Sequence, residues 1–421
     1  VAGKAIEMLT LLMLATMVPR ALGPADYGHF AVLLSIVTVG SLALTLGGPV
    51  LMTRFVPAAP LGEQVALARA LGSRLARGRA VQLAVLGVAT AVVVAWQPER
   101  FPPGTAALVA VAVALNVAAS LALQVTLGLG RSGPWSARFP LQNAVLVVAV
   151  LTLHPVAGPT GAAVALVIAA VAAAILAAAA LAPVLREPGS PVPVPPAAIR
   201  FGTLHAAAAA LVQVSQRGGV LAVALLAGSP VQTGYASLAI GIALGATYAV
   251  LQAFTVALPH LTAGSATAPA DPDQAEAALR RLAGGLLVVL VPGAAAAALL
   301  LDVVVPRLFG AGYDGAVTAF GPALAVVVLA PLHSLAVQAS ALRLRPEAAL
   351  SGGAAAAAAF VAVALVAVPA WGASGGTAAA LAAATAGIAT TLRGLPGASG
   401  RVVPAVSCAG AAAVLALAAV A

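Results

Sequence analysis

Charge is what this chain has least of. Asp, Glu, Lys and Arg together make up 7% of its 421 residues, where a soluble domain carries about 25%. Lysine occurs once, as Lys4, so nearly all of the 20 basic residues are Arg. Acidic residues number 11 and, outside Glu7, fall in loops or at segment ends. That leaves no pair of carboxylates to act as acid and base. One cysteine, Cys408, excludes an internal disulfide and a Cys-cluster metal site. Its five histidines lack ligand spacing, so no metal is expected. Aromatics make up 4%, and no aromatic-rich basic face accompanies the formal charge of +9, which argues against nucleic acid as partner. Neither a Walker loop nor a nucleophile with its base can be assembled, and no cofactor or enzymatic activity is expected.

Hydrophobic residues are abundant instead, at 62%, with a mean hydropathy of +1.10. Apolar segments near 20 residues recur from residue 5 to residue 391 in twelve blocks, with a thirteenth at 402–421. Runs of this length suit membrane helices and are too long for barrel strands. The pattern predicts an all-α polytopic membrane protein of 12, or with the last segment 13 to 14, transmembrane helices.

Lys and Arg on alternate connections give the orientation. With the N-terminus inside, sixteen basic residues fall on cytoplasmic connections and only Arg20, Arg100 and Arg307 fall outside. A cytoplasmic membrane location with a cytoplasmic N-terminus is expected. Residues 60–79 and 270–282 look like amphipathic surface helices with basic residues turned to lipid headgroups. Arg186 to Pro196 is Pro-rich and extended, dividing the chain nearly in half.

The halves repeat. Pro24-Ala-Asp-Tyr-Gly28 recurs in form as Pro230-Val-Gln-Thr-Gly234, at an offset of 206. Gln124 to Arg131 recurs as Gln338 to Arg345 at 214, and Gly161-Ala-Ala as Gly376-Thr-Ala at 215. Their common order predicts two six-helix lobes related by a parallel pseudo-repeat: an N-lobe at 1–185, a cytoplasmic linker at 186–200, a C-lobe at 201–392, and a connection with an extra apolar segment, expected to be truncated, at 393–421.

The stretch Arg20-Ala-Leu-Gly-Pro-Ala-Asp-Tyr-Gly-His-Phe, followed by Leu46-Gly-Gly-Pro-Val-Leu-Met-Thr-Arg54-Phe, closely resembles the opening of the Wzx-type polysaccharide flippases. These belong to the multidrug/oligosaccharidyl-lipid/polysaccharide (MOP) exporter superfamily. Gly128-Leu-Gly-Arg131, Gly234-Tyr235-Ala-Ser-Leu-Ala, Leu308-Phe-Gly-Ala-Gly-Tyr313 and Gly375-Gly-Thr-Ala follow in order. The resemblance implies a cargo of polyprenyl-pyrophosphate-linked oligosaccharide, moved from the cytoplasmic to the outer leaflet by alternating access. It also implies contact with membrane lipids and with other polysaccharide assembly proteins. Many members carry an Asp in the seventh helix before a basic residue; here Gln216 precedes Arg217, which puts ion coupling through that acid in question.

Arg217 is the most informative residue. A charge inside a span faces water or a partner, so Arg217 either grips the pyrophosphate with its planar fork or snorkels, or joins a structural pair. Gln213 and Gln216 make its stretch polar. Arg54 ends the second span, and the offset of 206 places His260 at the equivalent position; both are candidates for the cytoplasmic mouth, or simply obey the charge rule. Asn116 and Asn143, with Gln124, Gln142, Gln252 and Gln338, are amides in or near spans that either bind sugar hydroxyls or join helices. Alternative readings are a peptidoglycan lipid-precursor flippase, a drug/cation antiporter of the same superfamily, a membrane-embedded glycosyltransferase, and an inactive assembly scaffold.

Overall fold

In hydrocarbon a backbone must satisfy its own hydrogen bonds, and an Ala-rich chain does so most readily as helix. The structure, a computed structural model, describes residues 2–45, 47–60, 62–96, 102–187, 192–261, 272–395, 408–409 and 411–412. Among these residues there is no strand. The elements are α1 (Ala2–Thr45), α2 (Gly48–Phe55), α3 (Gln64–Trp96), α4 (Pro103–Gly128), α5 (Ser132–Arg186), α6 (Pro196–Leu226), α7 (Pro230–Leu261), α8 (Pro272–Phe309), a 3-10 turn (Ala311–Ala316), α9 (Val317–Leu342), α10 (Pro346–Trp371) and α11 (Ala373–Arg393). Five helices begin on proline, whose missing N–H costs nothing at a helix start. The thirteenth apolar segment lies outside the described residues, apart from 408–409 and 411–412.

Nine described helical stretches are long and apolar enough to cross a bilayer, which makes this a multi-pass membrane protein. Two of them are bent. The stretch Ile6–Phe55 has 50 residues, which at about 1.5 Å per residue is more than twice a bilayer core of about 30 Å. Within α1, Gly23 leaves the helical region at φ 73° and ψ 170°, ahead of Pro24. Within α5, Gly158 does the same at φ 54° and ψ −138°, ahead of Pro159. In each case a left-handed glycine and a proline that cannot donate break the ladder together. At Gly158 the chain doubles back: a Cβ added to Gly161 would sit 3.2 Å from the His154 nitrogen, whereas residues seven apart on a straight helix are about 10 Å apart.

The amphipathic segments expected at 60–79 and 270–282 are not separate surface helices. The first, from residue 64, and the second, from 272, run on as the opening turns of α3 and α8, because nothing in the sequence breaks the ladder between surface turn and span. Beyond its buried start, α3 turns Val81, Val85, Val88 and Val92 outward, each 63–66% exposed. This stripe would be a liability in water and is the expected surface toward acyl chains.

The chain forms two compact units. One comprises Val1–Leu14 and Ile36–Ala206, the other Ala15–Ser35 and Ala207–Ala421. In the first, α4 packs on the α5 hairpin through Ala119, Leu123, Ala173 and Ala177, small residues that let helix backbones approach. At its polar end the Arg69 Nε donates to the Val184 carbonyl at 3.0 Å, while its Nη2 reaches both that carbonyl and that of Glu187. A cation thus closes the last turn of α5, and Arg131 pairs with the Glu187 carboxylate beside it.

In the second unit Tyr313, 1% exposed, is ringed by Tyr27, Tyr235 and Phe309 at centroid distances of 6.0–6.4 Å. Its hydroxyl donates to the Pro19 carbonyl at 3.0 Å.

The repeat is visible in the backbone. After α4, Gly130 has φ 76°; after α9, Leu344 has φ 53°. The Arg131 N–H donates to Thr126 O at 3.0 Å and the Arg345 N–H to Ser340 O at 2.8 Å. Gly158 corresponds to Gly372 at φ 55°. As Gly161 abuts Leu153 and His154, so Gly375 abuts Ala367 and Val368. Every pair is separated by 214. The structural partner of Gly161 is therefore Gly375, one residue before the Gly376 that the sequence match selects.

Candidate functional site

Arg217 lies on α6 within the second unit and is half-buried. Its Nε donates to the Gln213 Oε1 at 3.3 Å, one turn back, and its Nη2 donates to the Tyr248 hydroxyl on α7. The guanidinium carbon stands 5.1 Å from the Tyr248 ring centroid. The cation is thus held by an amide, a phenol and a ring face, groups that leave its charge in place. Gln216, adjacent in the chain, is more deeply buried. It is 1% exposed, and neither of its amide atoms has a hydrogen-bond partner among the described residues. Two closely packed glycines follow: Gly218 against Phe360 of α10, and Gly219 against Ile240 of α7 and Gly376 of α11.

The other expected residues belong to the first unit, except His260, Gln252 and Gln338. Arg54, in the last turn of α2, is 7% exposed, with its guanidinium carbon 5.8 Å from the Phe201 ring centroid on α6. Phe201 also stacks on His205, at 5.9 Å and 8°. His205 is 2% exposed. His260 is in α7, but its side chain is outside the described residues, as is that of Gln252.

Asn116 is 3% exposed in the middle of α4 and forms the hub of a network. Arg138 of α5, 4% exposed, donates to the Asn116 side-chain oxygen at 3.2 Å and its backbone oxygen at 3.3 Å, and also bonds the Ser120 hydroxyl. Gln142 donates to the same Asn116 Oδ1 at 2.8 Å. Asn143 is half-buried on the neighbouring position of α5 and takes no part in this network. The Gln124 amide donates to Thr45 O at 3.2 Å, joining α4 to the end of α1.

The structure thus brings Arg217 and Gln213 together, and joins Asn116 to Arg138 and Gln142. Sequence reasoning did not single out four participants. Arg138 counted as a loop charge because it follows a turn by only six residues. Tyr248 stands 31 residues from Arg217, with no spacing to connect them. Phe201 and His205 carry one signal, an aromatic and a histidine four apart on one helix face. No group of three or more potential metal ligands occurs among the described residues.

No family model matches the chain, and no curated protein matches it. Solved structures do. The lipid II flippase MurJ, in an inward closed conformation, is similar at a TM-score of 0.71 and 9% identity, over 99% of this chain and 91% of that one. An inward-facing multidrug resistance MATE family transporter of the MOP superfamily is similar at 0.59 and 16%, over 93% and 96%. A MOP superfamily transporter from Pyrococcus furiosus gives 0.52 and 13%, over 99% and 93%. At these identities the likeness is one of fold: the chain shares the helical fold of these solved transporters.

Proposed function

We propose that this protein is a transporter that carries a polyprenyl-pyrophosphate-linked oligosaccharide from the cytoplasmic to the outer leaflet by alternating access. The observation that carries the reading is Arg217, a cation within a span whose guanidinium donates to Gln213 and Tyr248. Neither partner neutralises it, so the guanidinium keeps its charge for a phosphate. The breadth of the fold likeness to a protein named as a lipid II flippase supports a lipid-linked cargo. In this reading Gln213 flanks the phosphate group, Arg54 and His260 meet the cargo at the cytoplasmic mouth, and Asn143 addresses sugar hydroxyls, while Gln216 and Asn116, buried in this arrangement, reach the phosphate and the sugar when the helices around them part. Twelve spans in two six-helix lobes, with the N-terminus in the cytoplasm, complete the proposal. Other polysaccharide assembly proteins are its expected neighbours.

A drug/cation antiporter is the second reading, favoured by the MATE neighbours. It calls for carboxylates in the helical interior, and among the described residues Glu7, at 9% exposure, is the only buried one. Reconstitution into vesicles separates the two. The first reading expects the headgroup of a polyprenyl-pyrophosphate glycan to become accessible on the far side, with no exchange of an organic cation. Cation exchange without headgroup movement would replace it.

A further inference from the structure

Within the second unit, the described buried polar side chains are hydroxyls apart from Gln216 and His333. Ser215, Ser340 and Thr391 return their hydroxyls to carbonyls of their own helices. Gln216, at 1% exposure, and His333, at 0%, do not: all four of their side-chain nitrogen and oxygen atoms are buried without a hydrogen-bond partner among the described residues. Buried polar groups are rarely left so, and each calls for an explanation.

Helix register brings the two to one level. Gly353 abuts Ala208 and Leu211, and Gly218 abuts Phe360, so α6 and α10 run parallel. Val337 and Ala349 share one cluster although twelve residues apart, so α9 runs back against α10 and hence against α6. Val212 joins that same cluster. One turn on from Val212 is Gln216, and one turn back from Val337 is His333; on antiparallel helices both steps go the same way. The His333 ring also lies flat on α11 at Gly387, where an added Cβ would stand 2.5 Å from Nε2 and 2.8 Å from Nδ1. The absent side chain makes the slot that holds the imidazole.

We propose that His333 is the proton-binding group of the second unit, with Gln216 as the partner it gains when the surrounding helices shift. Among the described buried side chains of this unit it is the only one that ordinarily exchanges a proton near neutral pH. A neutral imidazole has one N–H and a protonated one has two. This arrangement gives neither nitrogen an acceptor among the described residues, so taking up the proton requires α6, α9 and α11 to move and present the Gln216 Oε1 or water. Proton binding and helix movement are thereby one equilibrium.

Among the described residues, charges from neighbouring elements do not substitute. Arg281, Asp302 and Arg307 of α8, Asp314 of the 3-10 turn, Arg345 and Glu347 at the start of α10, and Arg393 of α11 are exposed. Arg217 and Tyr248 hold each other. Tyr313 and Tyr235 donate to Pro19 and Gly312, and Tyr27 is bonded by Ser237. Arg343 stands at the far end of α9. The inference deepens the transport reading, on which it rests for its purpose, by naming the proton as the coupling ion.

The test uses the full chain, labelled with 15N-histidine, in phosphatidylethanolamine/phosphatidylglycerol nanodiscs without cargo. Five histidines give five sets of ring signals, assigned by single His→Gln variants. Expected is a His333 signal that passes from neutral to protonated as the pH falls from about 8 to about 4. Deuterium exchange at α11 around Gly387, corrected for intrinsic rates, is expected to rise about tenfold over the same range, and to lose that rise in His333→Gln. A His333 signal that stays neutral throughout overturns the proposal, as does an exchange response that survives His333→Gln. If that variant fails to insert, the wild-type titration decides alone, since His29→Gln, His154→Gln, His205→Gln and His260→Gln assign the other signals. Because no cargo is present, failure here is distinct from failure of the cargo reading, which only the vesicle assay reports.

Discussion

Gly28 and Gly234 face each other reciprocally. A Cβ on Gly28 would lie 3.1 Å from the Gly234 nitrogen and collide with the Pro230 carbonyl; a Cβ on Gly234 would lie 3.4 Å from the Gly28 nitrogen and collide with the Pro24 carbonyl. These are the two copies of the 206-residue repeat, Pro24 to Gly28 and Pro230 to Gly234. Within the second unit the repeat packs against itself, each glycine admitting the first turn of the other helix.

Gly28→Ala and Gly234→Ala should each destabilise the protein, by about 1–3 kcal/mol, the usual range for overpacking. Gly241, whose Cβ would meet nothing within 4 Å, is the control: Gly241→Ala should be neutral or slightly stabilising, since alanine is the better helix former. Thermal unfolding in detergent distinguishes the outcomes, and equal effects at all three sites would contradict the crossing.

Leu344 is the only described non-glycine residue with a positive φ, where its repeat counterpart is Gly130. A leucine there is strained by about 1–2 kcal/mol. Leu344→Gly should therefore raise the unfolding temperature, and Gly130→Leu should lower it. Opposite signs at equivalent positions are the expected signature; a loss of stability in both would mean that the Leu344 side chain outweighs its backbone.

Arg138 and Asn116 should be energetically coupled. Interhelical hydrogen bonds in membrane proteins average about 0.6 kcal/mol and reach about 1.7, and a buried charged donor belongs at the upper end. A double-mutant cycle with Arg138→Met and Asn116→Leu should return about 1–2 kcal/mol of coupling in thermal stability. Additive effects would place Arg138 outside the network.

The all-helical membrane fold and the repeat were legible because both rest on long-period features: apolar runs and motifs such as Gln124 to Arg131 that survive in two copies. Register was not. Gly161 matched Gly376 instead of Gly375 because, where Gly and Ala alternate, sliding by one residue costs the alignment nothing, while the backbone contact at Leu153 and Ala367 admits one answer. The turns at Gly23 and Gly158 read as loops between spans, but a left-handed glycine followed by proline reverses or bends a helix with no loop at all. Arg217 stood out because a charge in an apolar run is rare. Arg138 did not, because a charge near a turn looks like a topology signal until its long side chain is seen reaching Asn116 and Ser120.

The most direct test of the central claim is the rate at which purified protein in vesicles exposes the headgroup of a polyprenyl-pyrophosphate oligosaccharide on the far side, with Arg217→Ala beside the wild type. Losing a charged bond to phosphate of about 1.5–3 kcal/mol predicts a fall of about ten- to hundredfold, partly restored in Arg217→Lys, with insertion and unfolding temperature preserved. Translocation by Arg217→Ala at the wild-type rate would contradict the account.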